Sequence, residues 1–286
     1  MAIISDYVQK DKITAMTFDF VSYTSIAHEV MRVTNDFQGT AVSMPVATKG
    51  TLKTYTKDGD LIKDDIGDDE VNIPIDDDKY MLDGVDGYVD KKSAQKVSVQ
   101  VGRNQGETIA EYIDTACFQK VFDQAGIVGA TYGVTTAPIS ITTPALAEDY
   151  MATIKTALKT AKIPQSKWYA VVPVWFETLI MKSLAFSPSG ASQNDAITNG
   201  VVGKMYGIPI YSTTTLPSGV SGGIVAGEEA VIAGSELASD ILYSIKDAEN
   251  GSMMPIRKGE YFAQFLSMGC GANNPALLIG GVVTNV

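Results

Sequence analysis

Histidine is almost missing from this chain. His28 stands alone among 286 residues, which excludes a metal centre built from two or three imidazoles within one chain. Cysteine is nearly as scarce. Cys117 and Cys270 lie far apart and form no metal-ligand spacing, so they read as two buried thiols of a reducing compartment, able to pair only if the fold brings them together. Tryptophan is confined to Trp168 and Trp175, less than a glycan-binding enzyme is expected to carry. No run approaches the roughly 18 consecutive apolar residues of a membrane span. The start, MAIISDYVQKDK, lacks a basic segment followed by an apolar run, so no secretory signal is read. A basic patch is absent too, and an acidic chain of net charge −11 is not built to grip nucleic acid through its phosphates.

Catalytic motifs are thin. Gly219-Val-Ser-Gly-Gly223 fits G-x-S-x-G but follows Pro217 in a Gly-rich run, with no strand-to-helix elbow to present Ser221. Gly200-Val-Val-Gly-Lys204 fails the phosphate-loop spacing, because Thr198 stands where the first glycine belongs and Met205 follows the lysine. His28 lies in an amphipathic segment, Val21 to Val33, and reads as a half-buried structural histidine. No enzyme and no cofactor is expected.

What the chain does have is a concentrated block of charge. Between Asp58 and Asp90 it carries 13 Asp and Glu residues against Lys63 and Lys79 alone, a balance of −11 that equals the net charge of the whole chain. Packing like charges together is unfavourable, so such a block needs water, a cation or a basic surface on another molecule. Neither Asp60–Asp65 nor Asp76–Met81 has the alternating ligands and central glycine of an EF-hand loop.

The elements around the block follow from local patterns. Thr40–Val46, Gly50–Thr56 and Glu70–Ile75 read as strands, with Pro74 marking an exposed edge. Together they predict a long polar hairpin over about 40–80 that must lie on something else. Gly87–Phe122 reads as helix with Ile109, Tyr112, Ile113, Ala116, Cys117 and Val121 on one face, and with a bend or break at Gly102 and Gly106. Ala145–Ala161 reads as a second helix, capped by Thr143 with Pro144 at its first position, and with a stripe of Leu146, Tyr150, Ile154 and Leu158. A buried strand at 168–172, a helix from Val174, and strands at 208–212, 229–233, 241–245, 261–268 and 276–283 complete an α+β chain.

Two passages make this order recognisable. The first is Trp168-Tyr-Ala-Val-Val-Pro173, then Leu179 and Leu184, then Asn199-Gly-Val-Val-Gly-Lys-Met-Tyr-Gly-Ile-Pro-Ile-Tyr-Ser212, closing on Thr215-Leu-Pro217. Gly200, Gly203 and Gly207 are expected at turns that a Cβ would block. The second is Val71–Tyr80, Val85-Asp86, and a helix containing Ile109-Ala-Glu-Tyr-Ile-Asp114. In this arrangement the chain resembles the major capsid proteins of tailed bacteriophages with the HK97-type fold, over roughly residues 35–286.

That resemblance implies an N-terminal arm over 1–37, an extended loop over 38–82, a peripheral domain over 83–140 and 246–286, and an axial domain over 141–245. It implies copies assembling as hexamers and pentamers into an icosahedral shell around double-stranded DNA in the bacterial host cytoplasm, with a portal. No long N-terminal scaffolding segment is visible, so the scaffold is expected to be a separate protein. The acidic residues Asp58, Asp60, Asp64, Asp65, Asp68, Asp69 and Glu70 are expected to meet Lys91, Lys92, Lys96 and Arg103 of a neighbouring copy. The alternatives are an encapsulin-like nanocompartment on the same fold, and a calcium-binding surface or tail module. A hydrolase using Ser221 is a more remote one.

Overall fold

A strand covered on both sides fixes the middle of the molecule. Trp168–Pro173 is apolar at every position, the pattern of a central strand rather than of one facing water, and all of it is buried. The computed structural model describes residues 21, 24–34, 39–47, 54, 68–86, 97–183, 186–188, 201–218, 224, 227–247 and 259–286. In chain order the elements are α1 (Ile26–Val30), β1 (Arg32–Thr34), β2 (Ala41–Ala47), β3 (Asp68–Pro74), β4 (Asp77–Asp86), α2 (Val97–Asp123) and β5 (Ile139–Ser140). They continue with α3 (Pro144–Thr160), β6 (Trp168–Pro173), α4 (Val174–Met181), β7 (Phe186–Pro188), β8 (Val201–Met205) and β9 (Ile208–Thr213). The last are β10 (Glu228–Ser235), β11 (Ser239–Asp247), β12 (Gly259–Ala272) and β13 (Leu278–Thr284).

Among the described residues the strands form a larger sheet in the order β5-β13-β10-β6-β9-β8-β7, a smaller sheet β1-β11-β12-β4, and a separate β2–β3 pair. Side chains of the larger sheet alternate between two cores. Trp168, Ala170, Val172, Val231 and Ala233 pack with Tyr150, Ile154 and Leu158 of α3 and with Phe176 and Ile180 of α4. Tyr169, Val171 and Ile232 belong with Ile113, Cys117 and Phe118 of α2. The same α2 core takes in Ile241, Tyr243, Leu266, Met268 and Cys270 of the smaller sheet. Helix α2 is therefore the layer that joins the two sheets.

Several elements depart from the sequence reading. Helix α2 runs unbroken through Gly102 and Gly106, both buried; a glycine costs about 1 kcal/mol in a helix interior, less than packing against two sheets provides. In α3, Tyr150, Ile154 and Leu158 are buried as expected, but Leu146 is 43% exposed and Ala147 and Met151 take its place. A strict four-residue stripe drifts by about 40° per step on a 3.6-residue turn, which carries Leu146 off the face. Thr143 does cap the helix, its Oγ accepting from the Leu146 N–H at 3.4 Å. The acidic segment 77–86, to which the sequence reading assigned no element, is β4, antiparallel to β12. Long-range pairing also separates neighbours in sequence. β12 belongs to the smaller sheet, and β13 pairs with β10 in the larger one. β11, within 141–245 for most of its length, pairs with β12.

The β2–β3 pair is antiparallel, from Ala41 opposite Pro74 to Ala47 opposite Asp68. Its base rests on its own chain. Ile73 is 2% exposed, and a Cβ on Gly269 of β12 would come within 2.2 Å of the Pro74 carbonyl oxygen. Only glycine lets the backbones approach so closely.

Candidate functional site

The charged and apolar surface around β4 is the part of the molecule with the most unspent chemistry. Alternation along a strand sends successive side chains to opposite faces, and β4 uses its two faces differently. On the α2 side its acids are matched within the chain. Tyr112 donates to Asp77 at 2.5 Å and Gln105 donates to Asp83 at 2.8 Å, while Asp76, just ahead of the strand, lies 3.2 Å from Lys120. Lys79 sits 3.2 Å from Asp77 and 5.6 Å from the centre of the Tyr112 ring. Burial, reinforced by the Asp77 carboxylate, holds the Tyr112 hydroxyl above its usual range. Exposed ion pairs of this kind contribute about 0–1 kcal/mol each, so they set register more than stability.

On the opposite face Asp78, Tyr80 and Leu82 point outward, with Tyr80 71% and Leu82 59% exposed. Phe265 of β12, the register partner of Tyr80, is 48% exposed, and the two rings lie 6.2 Å apart. The result is an apolar patch rimmed by acids. Sequence reading missed it, because Tyr80 and Phe265 meet only through the β4–β12 pairing.

The acidic residues named from sequence are only partly within view. Asp58, Asp60, Asp64 and Asp65 lie outside the described residues, as do Lys91, Lys92, Lys96 and Gly200. Asp68 and Asp69 stand on β3 opposite Ala47 and Val46. Glu70 is exposed and accepts from Ser43 Oγ at 2.5 Å. Arg103 is exposed on α2. Gly207 follows Tyr206 in the two-residue turn between β8 and β9, both with positive φ (54° and 84°), the geometry of a primed hairpin turn. Gly203, expected at a turn, lies within β8 at a register shift between Val201 and Gly203; a strand glycine at such a bulge takes up the irregular spacing.

The N-terminal side is tied to the same helix. Asp114 of α2 accepts from Ser25 Oγ at 2.5 Å, from the Ile26 N–H at 3.1 Å and from the Ala27 N–H at 3.0 Å. It thereby satisfies donors at the start of α1 that have no partner inside the helix. Burial pushes the Asp114 carboxyl above the usual carboxylate range, against the pull of these three bonds. His28 follows on α1 with its ring 5.0 Å from that of Tyr243, and burial lowers it to about 4. Arg32 bridges to buried Asp240, which also accepts from Asn273 Nδ2 at 2.7 Å. Among the described residues no three His, Cys, Asp or Glu side chains converge as metal ligands, and no described helix is long and apolar enough to cross a membrane.

The family model described as "Phage capsid protein" matches residues 90–248, more than half of the chain. The chain belongs to this family. Among solved structures, the capsid of the cyanophage P-SCSP1u is similar at a TM-score of 0.64 and 13% identity, covering 90% of this chain and 87% of that one. The capsid of Ralstonia phage GP4 is similar at 0.62 and 14%, covering 89% and 87%. A virus-like particle from Pyrococcus furiosus is similar at 0.57 and 11%, covering 96% and 99%. At such identities these structures establish the shared HK97-like fold, and the family match is what distinguishes a phage capsid from a nanocompartment. No curated protein matches the sequence. This capsid protein is thus a structural protein of the virion whose copies build the shell.

Proposed function

We propose that this capsid protein closes an icosahedral shell of hexamers and pentamers around double-stranded DNA by completing, with a neighbouring copy, the outer face of its smaller sheet. The observation that carries this reading is the exposure of Tyr80, Leu82 and Phe265 on a sheet whose other face is buried against α2. Three large apolar side chains grouped on one sheet face are the mark of an interaction surface. The acidic residues at Asp58–Glu70 extend the contact, reaching Lys91, Lys92, Lys96 and Arg103 of that neighbour. Such charge pairs steer and align partners more than they bind them. They explain why a shell-forming chain concentrates its net charge in one segment.

Residues 1–37 act as the N-terminal arm and 38–82 as the extended loop. Residues 83–140 and 246–286 form the peripheral domain, and 141–245 form the axial domain that gathers at the symmetry axes. Assembly takes place in the bacterial host cytoplasm with a separate scaffolding protein, and a portal occupies one vertex. The DNA is enclosed without sequence-specific contacts, in keeping with the acidic balance of the chain.

The test is assembly. Reversing Asp64, Asp65, Asp68 and Asp69 to lysine is expected to abolish closed particles under negative-stain microscopy while circular dichroism still reports a folded subunit. Normal particles from that variant would overturn the electrostatic part of the reading. Particles that never contain nuclease-protected DNA when made in infected cells would overturn the cargo.

A further inference from the structure

The two cysteines, remote in sequence, meet in the fold. Cys117 of α2 is fully buried and Cys270 of β12 is 2% exposed. Both belong to one buried cluster, and the Cys270 thiol donates to the carbonyl oxygen of Ala116, the residue before Cys117, at 3.7 Å. No third cysteine exists to compete. Both are free thiols; Cys117 sits on the helix that joins the two sheets, and Cys270 on a strand of the smaller sheet. A virion capsid passes from the reducing interior of a cell to oxidising surroundings, so a buried dithiol placed here has a second state within reach.

We propose that Cys117 and Cys270 are a latent disulfide, closed by a small peroxide after assembly, that staples α2 to β12 within each subunit. One thiolate sulfur attacks the peroxide O–O bond, giving a sulfenic acid and releasing one oxygen as water or alcohol. The second thiol then attacks the sulfenic sulfur and expels water. Two thiols and one peroxide yield one disulfide, one water and one water or alcohol, and the two electrons lost by sulfur cleave the O–O bond. Burial pushes the Cys117 thiol well above its usual range, which keeps the thiolate rare and the reaction slow at neutral pH. The enclosure favours a small oxidant over a bulky disulfide reagent. The covalent step does not depend on shell formation; its value to the particle rests on the reading above.

The experiment uses the purified full-length protein, as subunits and as particles, incubated with excess hydrogen peroxide at pH 7 and pH 9. Peptide mapping after alkylation in denaturant is expected to recover a cross-linked peptide pair joining Cys117 to Cys270, formed faster at pH 9. The melting temperature should rise by an amount on the order of 10 °C, since the bond closes a very long loop, and a reducing agent should reverse both changes. Cys117→Ala and Cys270→Ala should each abolish the cross-link and the rise. Sulfinic or sulfonic acid at either position without a cross-link, a bond between subunits, or two alkylatable thiols after treatment would each overturn the proposal. If either variant fails to fold, the mapping of the unaltered chain still decides.

Discussion

The two sheets of this capsid protein are built to different standards of completeness. In the larger sheet, β6 is buried on both faces, β10 over all but its first two residues, and α2 on one side and α3 with α4 on the other leave its centre no access to water. The smaller sheet is covered on its α2 side, and its other face is covered at β11, where Leu242 is buried, but shows Tyr80, Leu82 and Phe265 to solvent along β4 and β12. A sheet finished within its own chain serves stability. On the proposed reading, the sheet left partly open serves association, because its apolar area would be buried when a second copy arrives.

Mutations separate the two roles. Phe176, fully buried under the larger sheet with edge contacts to Tyr150 and Trp175, should cost about 3–5 kcal/mol when changed to alanine. Denaturant unfolding of the isolated subunit would register this, and a loss under 1 kcal/mol would mean that the larger sheet is not the stability core. Asp114→Ala should cost less, about 1–3 kcal/mol, because it leaves the Ser25 hydroxyl and the Ile26 and Ala27 N–H groups without their acceptor. Hydrogen exchange should show the loss confined first to α1, which would open before either sheet.

Acid should act through His28. Its folded-state value is lowered to about 4 from an ordinary 6.5, so the unfolded chain takes up a proton that the folded one refuses. The contribution of this group is complete above about pH 6.5 and is lost as the pH falls toward 4. His28→Gln should flatten the subunit's melting temperature across that window. Asp114, displaced upward, acts in the opposite sense within the carboxylate range, so the comparison is the difference between variant and parent. An unchanged slope would show that His28 is as well solvated when folded as when unfolded.

Local signals were legible, and tertiary ones were not. The Thr143 cap, the buried run at 168–172 ending in Pro173, and the apolar face of α2 each rest on residues within a turn or two of one another. Strand β4 was invisible because its pattern is set from outside. Asp77 and Asp83 are inward only by virtue of Tyr112 and Gln105 on α2, which no local periodicity contains. Gly102 and Gly106 misled because propensity was weighed without the packing that overrides it. Fold class and family were readable from the order of the pieces. The Tyr80–Phe265 patch and the closeness of Cys117 to Cys270 were not, since one depends on β4 pairing with β12 and the other on α2 packing against β12.

The central claim is that the smaller sheet's outer face is completed by another copy, and the Tyr80→Ser/Phe265→Ser double variant tests it most directly. Both positions are exposed in the subunit, with Phe265 half covered and its ring paired with Tyr80, so the subunit's unfolding free energy should fall by only about 1–2 kcal/mol and the subunit stay folded. Sedimentation of the assembled protein should at the same time shift from particles to subunits. Wild-type particle yield from the folded double variant would contradict the account.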